Sequence, residues 1–202
     1  MFALVEDGSI TKMLSGNRGI TLGSNQYPKA IFTLWTKDER EAIGIYEVVW
    51  NTSKRKDEEW YINTDVSYAF AGGKVTASYG DATAKAHADT LFTADDEDNG
   101  LGTEGEVKVK GLKTKKIANI KVQAAGILAK TDWYIVRKAD ANTAIPSAIT
   151  NHRAAVRTKC AEMVTAITNA SNTAALETLY TYTKQEDGSV TRPLGELPTL
   201  EV

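Results

Sequence analysis

An α+β fold is the expectation for this chain: a small antiparallel β-rich N-terminal part, then a helical C-terminal part with two long amphipathic helices. Three observations predict it. Short runs rich in β-branched and aromatic residues, punctuated by glycine turns, fill residues 1–80. Apolar residues at helical spacing then recur after Leu112 and again after Pro146. Gly72-Gly73 between two strand-like runs is a hairpin signal, because a two-residue primed turn needs positive φ. The expected organisation is a β-rich domain at 1–80, a helical domain at 81–190 with an acidic loop at 93–106, and an extended tail at 191–202.

Phe2 to Glu6 reads as a strand, Asp7-Gly8 as a turn and Ile10 to Leu14 as the returning partner. Ile20 to Leu22 is a further short strand, broken by Gly23-Ser24-Asn25. Thr36-Lys37-Asp38-Glu39 has the capping-box pattern, so a short helix from Lys37 to Ile43 follows, stopped by Gly44. Ile45 to Trp50 is the next strand. Asn51 to Glu59 is a polar connection whose Lys54, Arg55 and Lys56 offset Asp57, Glu58 and Glu59. Trp60 to Ile62 opens another strand, and Val66 to Ala71 pairs with Lys74 to Tyr79.

Asp81 to Phe92 is alanine-rich and reads as a helix, with Thr93 to Glu106 a solvated loop behind it. The first long helix starts at Gly111 or Leu112, with its stripe on Ile117, Ile120, Ala124, Ile127 and Leu128. Gly126 costs roughly 1 kcal/mol there against Ala, which suggests a close helix contact. Asp132 is expected to cap the next helical segment, and Trp133 to be a core or interface anchor. Pro146 suits the first turn of the second long helix, whose face carries Ile149, Val156, Cys160, Met163 and Ile167 together with Arg153. Ser171-Asn172 caps a last helix, expected to end at Asp187-Gly188-Ser189.

Hydrophobic residues make up 42% and charged residues 25% of the chain, an ordinary globular balance. The formal net charge of −2 does not point to a dedicated nucleic-acid binder, whose mark is a basic excess. Cys160 is the single cysteine, so no internal disulfide is expected, in keeping with a reducing compartment. The N-terminus has no basic region ahead of its apolar residues and does not read as a signal peptide. No apolar run reaches membrane-spanning length. The expectation is a soluble protein folded in a cytoplasm.

No catalytic residue and no cofactor is assigned. Asp95, Glu97, Asn99, Gly100 and Glu106 fall at positions of a calcium-binding loop, where a hard cation wants an oxygen cage and a sharp glycine turn. Glu97 and Gly102 depart from that pattern, and the reading preferred for the loop is a solvated one. His87 and His152 are far apart with no cysteine near either, which is not a zinc pattern. Cys160 lies on an apolar helical face and reads as packing. Arg137, Lys138, Arg153, Arg157 and Lys159 form the one basic concentration, read as ion pairing with Asp132, Asp140 and Glu162 plus one arginine packed along its stem.

The run Ile127 to Arg137 containing Thr131-Asp132-Trp133, then Ile145-Pro146, then Arg153 and Arg157 four apart, resembles tail-fibre assembly and tail-associated proteins of tailed bacteriophages. The segment from Tyr27-Pro28 through Trp35-Thr36 to Val48 is similar to their N-terminal region. The resemblance implies a non-enzymatic protein that folds with, docks on or completes a tail fibre, in the host cytoplasm during assembly, as part of an oligomeric complex with a fibre or other virion protein. It also allows a permanent virion part, such as a tail adaptor or capsid decoration. Trp133, Tyr134, Arg137, Arg153 and Arg157 are the partner-binding candidates it suggests. The acidic insert at 93–106 and the additional C-terminal helix depart from the pattern.

Overall fold

A computed structural model describes residues 1–200; the expected tail therefore extends two residues, Glu201 and Val202, outside the described residues. The fold is α+β, and the chain divides into two compact units, Met1–Thr83 and Ala84–Val202. Among the described residues no helix is long and apolar enough to cross a membrane.

The first unit is built on a five-stranded sheet. Its strands are β1 (Phe2–Glu6), β2 (Ser9–Leu14), β5 (Ile45–Asn51), β7 (Ser67–Ala71) and β8 (Lys74–Ser78), in the order β2-β1-β5-β8-β7. Two short strands, β3 (Ile20–Leu22) and β4 (Asn25–Tyr27), form a separate hairpin, and β6 (Tyr61–Ile62) lies in the connection after β5. Asp7 and Gly8 both take positive φ, as does the Gly72-Gly73 pair, so both expected hairpins form.

One expectation needs correction: the sheet is mixed, because β5 and β8 run parallel. The β7–β8 hairpin enters the sheet by its second strand, so the long connection between the parallel strands β5 and β8, residues 52–73, includes β7, which carries the chain back to the starting end of β8. The sheet curls enough to bring β2 and β7, at its two ends, within Cα distances of 8 Å.

Alternation along β1 sends Ala3 and Val5 to one face, with Val48, Val75 and Ala77, and Leu4 to the other, with Leu14, Ile31, Phe32 and Ile45. The second face is covered by α1 (Ile31–Leu34), whose Phe32 ring lies 5.0 Å from that of Phe2. The capping box at Thr36 and Glu39 forms as expected and starts α2 (Lys37–Glu41). Gly44 ends it at φ 78°, and a Cβ there would stand 2.7 Å from the Val5 carbonyl oxygen. Trp60 is buried, Trp35 packs edge-on to Tyr27, and Trp50 is exposed beside Tyr79.

After the junction strand β9 (Thr83–Ala84), the second unit opens with an arm. Strands β10 (Thr90–Leu91) and β11 (Val107–Val109) pair antiparallel and carry α3 (Ala94–Asp98) between them. Then come α4 (Leu112–Ala129), α5 (Asp132–Ala141), α6 (Ser147–Asn169) and α7 (Thr173–Tyr180). Helices α4 and α6 pack on each other through Ile120, Ala124, Val156, Met163 and Ile167. The hairpin of β12 (Thr183–Lys184) and β13 (Val190–Thr191) follows α7, with Gly188 in its turn. The last helix thus ends at Tyr180; Asp187-Gly188-Ser189 turns a hairpin instead. The segment beyond β13 is held by its own unit: Leu194 is buried and its N–H donates to the Leu179 carbonyl at 3.0 Å.

Two helical expectations fail for tertiary reasons. Asp81 to Phe92 is not a helix, although alanine favours one, because its backbone is used elsewhere. Gly111, the N-cap of α4, has no side chain to offer. The free N–H groups of the first turn donate instead to Asp89 Oδ1 (2.7 Å, from Gly111), the Ala86 carbonyl (2.9 Å, from Leu112) and the His87 carbonyl (3.1 Å, from Lys113). The same segment reaches the α6–α7 corner: His87 Nε2 lies 2.9 Å from the Ala170 carbonyl and Thr173 Oγ1 donates to the Lys85 carbonyl at 2.9 Å. Gly126 makes no close helix contact either, since a Cβ there would meet nothing within 4 Å.

Asp89 acts as a cap from outside the helix it caps. The Gly111 N–H, and after it the Thr114 hydroxyl at 2.9 Å, hold its carboxyl below the usual carboxylate range. A folded-state value below the unfolded value of about 3.9 means that this stabilisation is complete above that pH. It is lost as pH falls through the folded-state value. Asp89→Asn is therefore expected to lower the urea midpoint at pH 7, and the gap from the parent protein should close as pH drops below about 4. A gap that stays constant down to pH 2 would count against a charge-dependent cap.

Candidate partner-binding site

The corner between α4 and α6 is organised by Arg153. It sits nearly two turns into α6 on the core-facing stripe and is only 7% exposed. Its Nη1 donates to the Leu128 carbonyl at 2.7 Å and to Thr131 Oγ1 at 2.6 Å, and its Nη2 lies 2.8 Å from Asp132 Oδ1. Leu128 is in the last turn of α4, where carbonyls lack intrahelical N–H donors. The buried guanidinium thus adds a side-chain donor to the Leu128 carbonyl, which the Thr131 N–H and hydroxyl also reach at 3.0 Å, and ties that end of α4 to the start of α5. Asp132 is the first residue of α5, not its cap; Thr131 holds the cap position without a side-chain bond to the helix N–H groups.

From that fixed start, α5 presents a surface. It contains no buried residue. Trp133, expected as a core or interface anchor, is 51% exposed, with Ile135 and Val136 exposed beside it. The Trp133 and Tyr134 ring centroids stand 3.8 Å apart at 31°. One turn on, the Arg137 guanidinium lies 4.7 Å from the Trp133 ring and 5.4 Å from that of Tyr134. A cation over two aromatic faces restrains all three side chains before any partner arrives. Asn142 takes the left-handed conformation and ends the helix.

Of the five partner-binding candidates, Trp133, Tyr134 and Arg137 come together on α5. Arg153 lies beneath as their support, out of a partner's reach. Arg157 stands apart, exposed on α6, with its Nη1 3.4 Å from the Arg153 carbonyl. The ion pairs expected for the basic cluster form at Arg153–Asp132 and at Lys159–Glu162 (3.3 Å).

The acidic loop is an ordered arm. Thr93 and Asp96 make a second capping box, which winds α3. Phe92 and the loop's end close it, Phe92 N–H donating to the Glu106 carbonyl (2.9 Å) and Gly105 N–H to the Phe92 carbonyl (3.0 Å). Asp96 pairs with Lys108 at 2.7 Å; that bond and the Thr93 N–H hold its carboxyl low. Asp95, Glu97, Asn99 and Glu106 are not gathered into a cage. The helical turn separates residues two apart, and Glu97 turns back to accept the Glu104 N–H at 2.9 Å. Among the described residues no group of three or more His, Cys, Asp or Glu side chains is placed to hold a metal ion.

Comparison with models of protein families, with curated proteins and with solved structures finds no match to this chain. The α5 surface and the Asp89 cap therefore rest on this chain's own geometry. Asp89 had one visible signal in the sequence: a helix starting at glycine without Ser, Thr, Asp or Asn must find its acceptors elsewhere.

Proposed function

We propose that this chain is a tail-associated protein of a tailed bacteriophage that acts by binding, without catalysis, as a tail-fibre assembly chaperone or fibre-docking protein in the host cytoplasm. The ordered Thr-Asp-Trp, Ile-Pro and Arg-x-x-x-Arg pattern supports the phage assignment. The observation that carries binding is α5: a helix with no buried residue that displays Trp133, Tyr134, Ile135, Val136 and Arg137. Trp, Tyr and Arg are the residue types that dominate interface energetics. An aromatic pair under a guanidinium offers a partner flat apolar faces and a charge with little further ordering required.

The test is co-purification with a tail-fibre protein of the same phage. Trp133→Ala should leave the thermal midpoint nearly unchanged, because a half-exposed side chain costs below about 1 kcal/mol to remove. Affinity for the fibre protein should fall at least tenfold, about 1.4 kcal/mol. Undiminished binding by a folded W133A protein would remove α5 from the interface. Stoichiometric copies in purified particles would assign it to the virion; absence from particles would make it a departing chaperone.

A further inference from the structure

Charge is segregated within the second unit. Helix α4 carries Lys113, Lys115, Lys116 and Lys121 and no carboxylate. The arm tip carries Asp95, Asp96, Glu97, Asp98, Glu104 and Glu106 with no lysine or arginine among them. Only Asp96 of these joins an ion pair among the described residues, and that is with Lys108 on the arm's own stem.

Each charged region also has an apolar centre. On the arm, Leu101 is 62% exposed, in the turn that follows α3. Its position is set from beneath: the Leu101 N–H donates to the Asp96 carbonyl at 2.9 Å, and Gly102 lies so close to the Phe92 ring that a Cβ would approach it to 2.6 Å. On the helices, a groove of about 370 Å³ runs between α4 and α6. Its walls are Ala125, Leu128, Cys160 and Val164, and the cations Lys121 and Arg157 stand at its rim. Neither cation pairs with a carboxylate among the described residues, and the arm lines no part of the groove.

We propose that the α4–α6 groove is a docking site for the acidic arm of a second copy of this chain, with Leu101 entering the groove and the surrounding carboxylates meeting Lys121 and Arg157. The charges are opposite, and an apolar knob ringed by acid matches an apolar slot rimmed by base. The contact joins two different patches, so it is heterologous, and a pair of copies keeps one free arm and one free groove between them. A single leucine and a few rim charges make a small interface, which places the association in the weak, salt-sensitive class. This proposal uses neither α5 nor the phage resemblance and stands apart from the fibre-binding reading.

Sedimentation velocity on the full chain tests it. The weight-average mass should rise with protein concentration in 50 mM NaCl and fall towards monomer in 500 mM NaCl. Leu101→Asp and the double variant K121E/R157E should each weaken association about tenfold or more, with unchanged thermal midpoints, since all three positions are exposed. Mixing L101D with K121E/R157E decides the geometry. Each variant lacks a different half, so one intact arm and one intact groove remain, and the mixture should form a one-to-one pair that grows no further. A monomer at every concentration in low salt would overturn the proposal. So would self-association that L101D leaves intact.

Discussion

Replacing Gly111 with Ala is expected to destabilise the second unit by about 3 kcal/mol, or roughly 10 °C in thermal midpoint. Alanine is normally the better helix former, so propensity alone predicts no such loss. The effect comes from what lies opposite. A Cβ on Gly111 would stand 2.2 Å from the Ala88 carbonyl oxygen and 2.7 Å from that of His87. Both are backbone atoms of the segment that receives the first-turn N–H groups of α4, so neither can move aside as a flexible side chain would. Relief requires residues 86–89 to withdraw, which breaks the bonds from Gly111 to Asp89 and from Leu112 to Ala86. Gly126→Ala is the matched contrast. It lies in the interior of the same helix with open space around its Cβ and should gain roughly 0.5–1 kcal/mol. Paired urea denaturations measure both. Equal midpoints for G111A and the parent protein would show that residues 86–89 do not hold the helix end.

Local chemistry was legible in the sequence and tertiary use was not. Asp7-Gly8, Gly72-Gly73, the Thr36–Glu39 box and the Asn172 cap are each decided by residues within a few positions, and each forms. The Thr93–Asp96 box is equally local, but the density of acid and glycine around it reads as loop. Helix α6 follows its apolar stripe; α4 buries Ile120 and Ala124 of its own but also Lys116, with Ile117, Ile127 and Leu128 only half-buried. What fails depends on distant partners: the alanines before Phe92 lose their helical tendency because their carbonyls cap α4, and the parallel β5–β8 pairing is set by the hairpin's entry into the sheet. The candidate site divides the same way. Trp133, Tyr134 and Arg137 could be placed together by helical spacing. Their exposure could not, because an apolar run reads alike whether it faces a core or a partner. Arg153 reads as an ion-paired cation and a partner-binding candidate; the pair with Asp132 forms, but the side chain is buried out of a partner's reach.

Arg153→Ala should be the costliest change at the corner, about 3 kcal/mol. The removed guanidinium serves the Leu128 carbonyl, the Thr131 hydroxyl and Asp132 at once. Thr131 is buried, so its hydroxyl loses the Arg153 bond where water has little access. Asp132 is more than half exposed and can be rehydrated, which keeps the cost at the lower end for a broken buried pair. Asp132→Asn separates the two contributions. It removes the charge while the two bonds to Leu128 and Thr131 survive, so it should cost less than half as much, and its penalty should shrink in high salt. Lysine is a further discriminator, because a single ammonium on a flexible stem cannot reproduce the fork that spans α4, Thr131 and α5. Arg153→Lys should retain part of the stability and still loosen the start of α5, read as faster amide exchange from Trp133 to Arg137. A fold that tolerates Arg153→Ala with unchanged midpoint and unchanged exchange along α5 would mean that helix packing alone sets the corner. As built, the residue that closes α4 also aims the exposed aromatic pair, so packing at the corner and presentation on α5 should fail together.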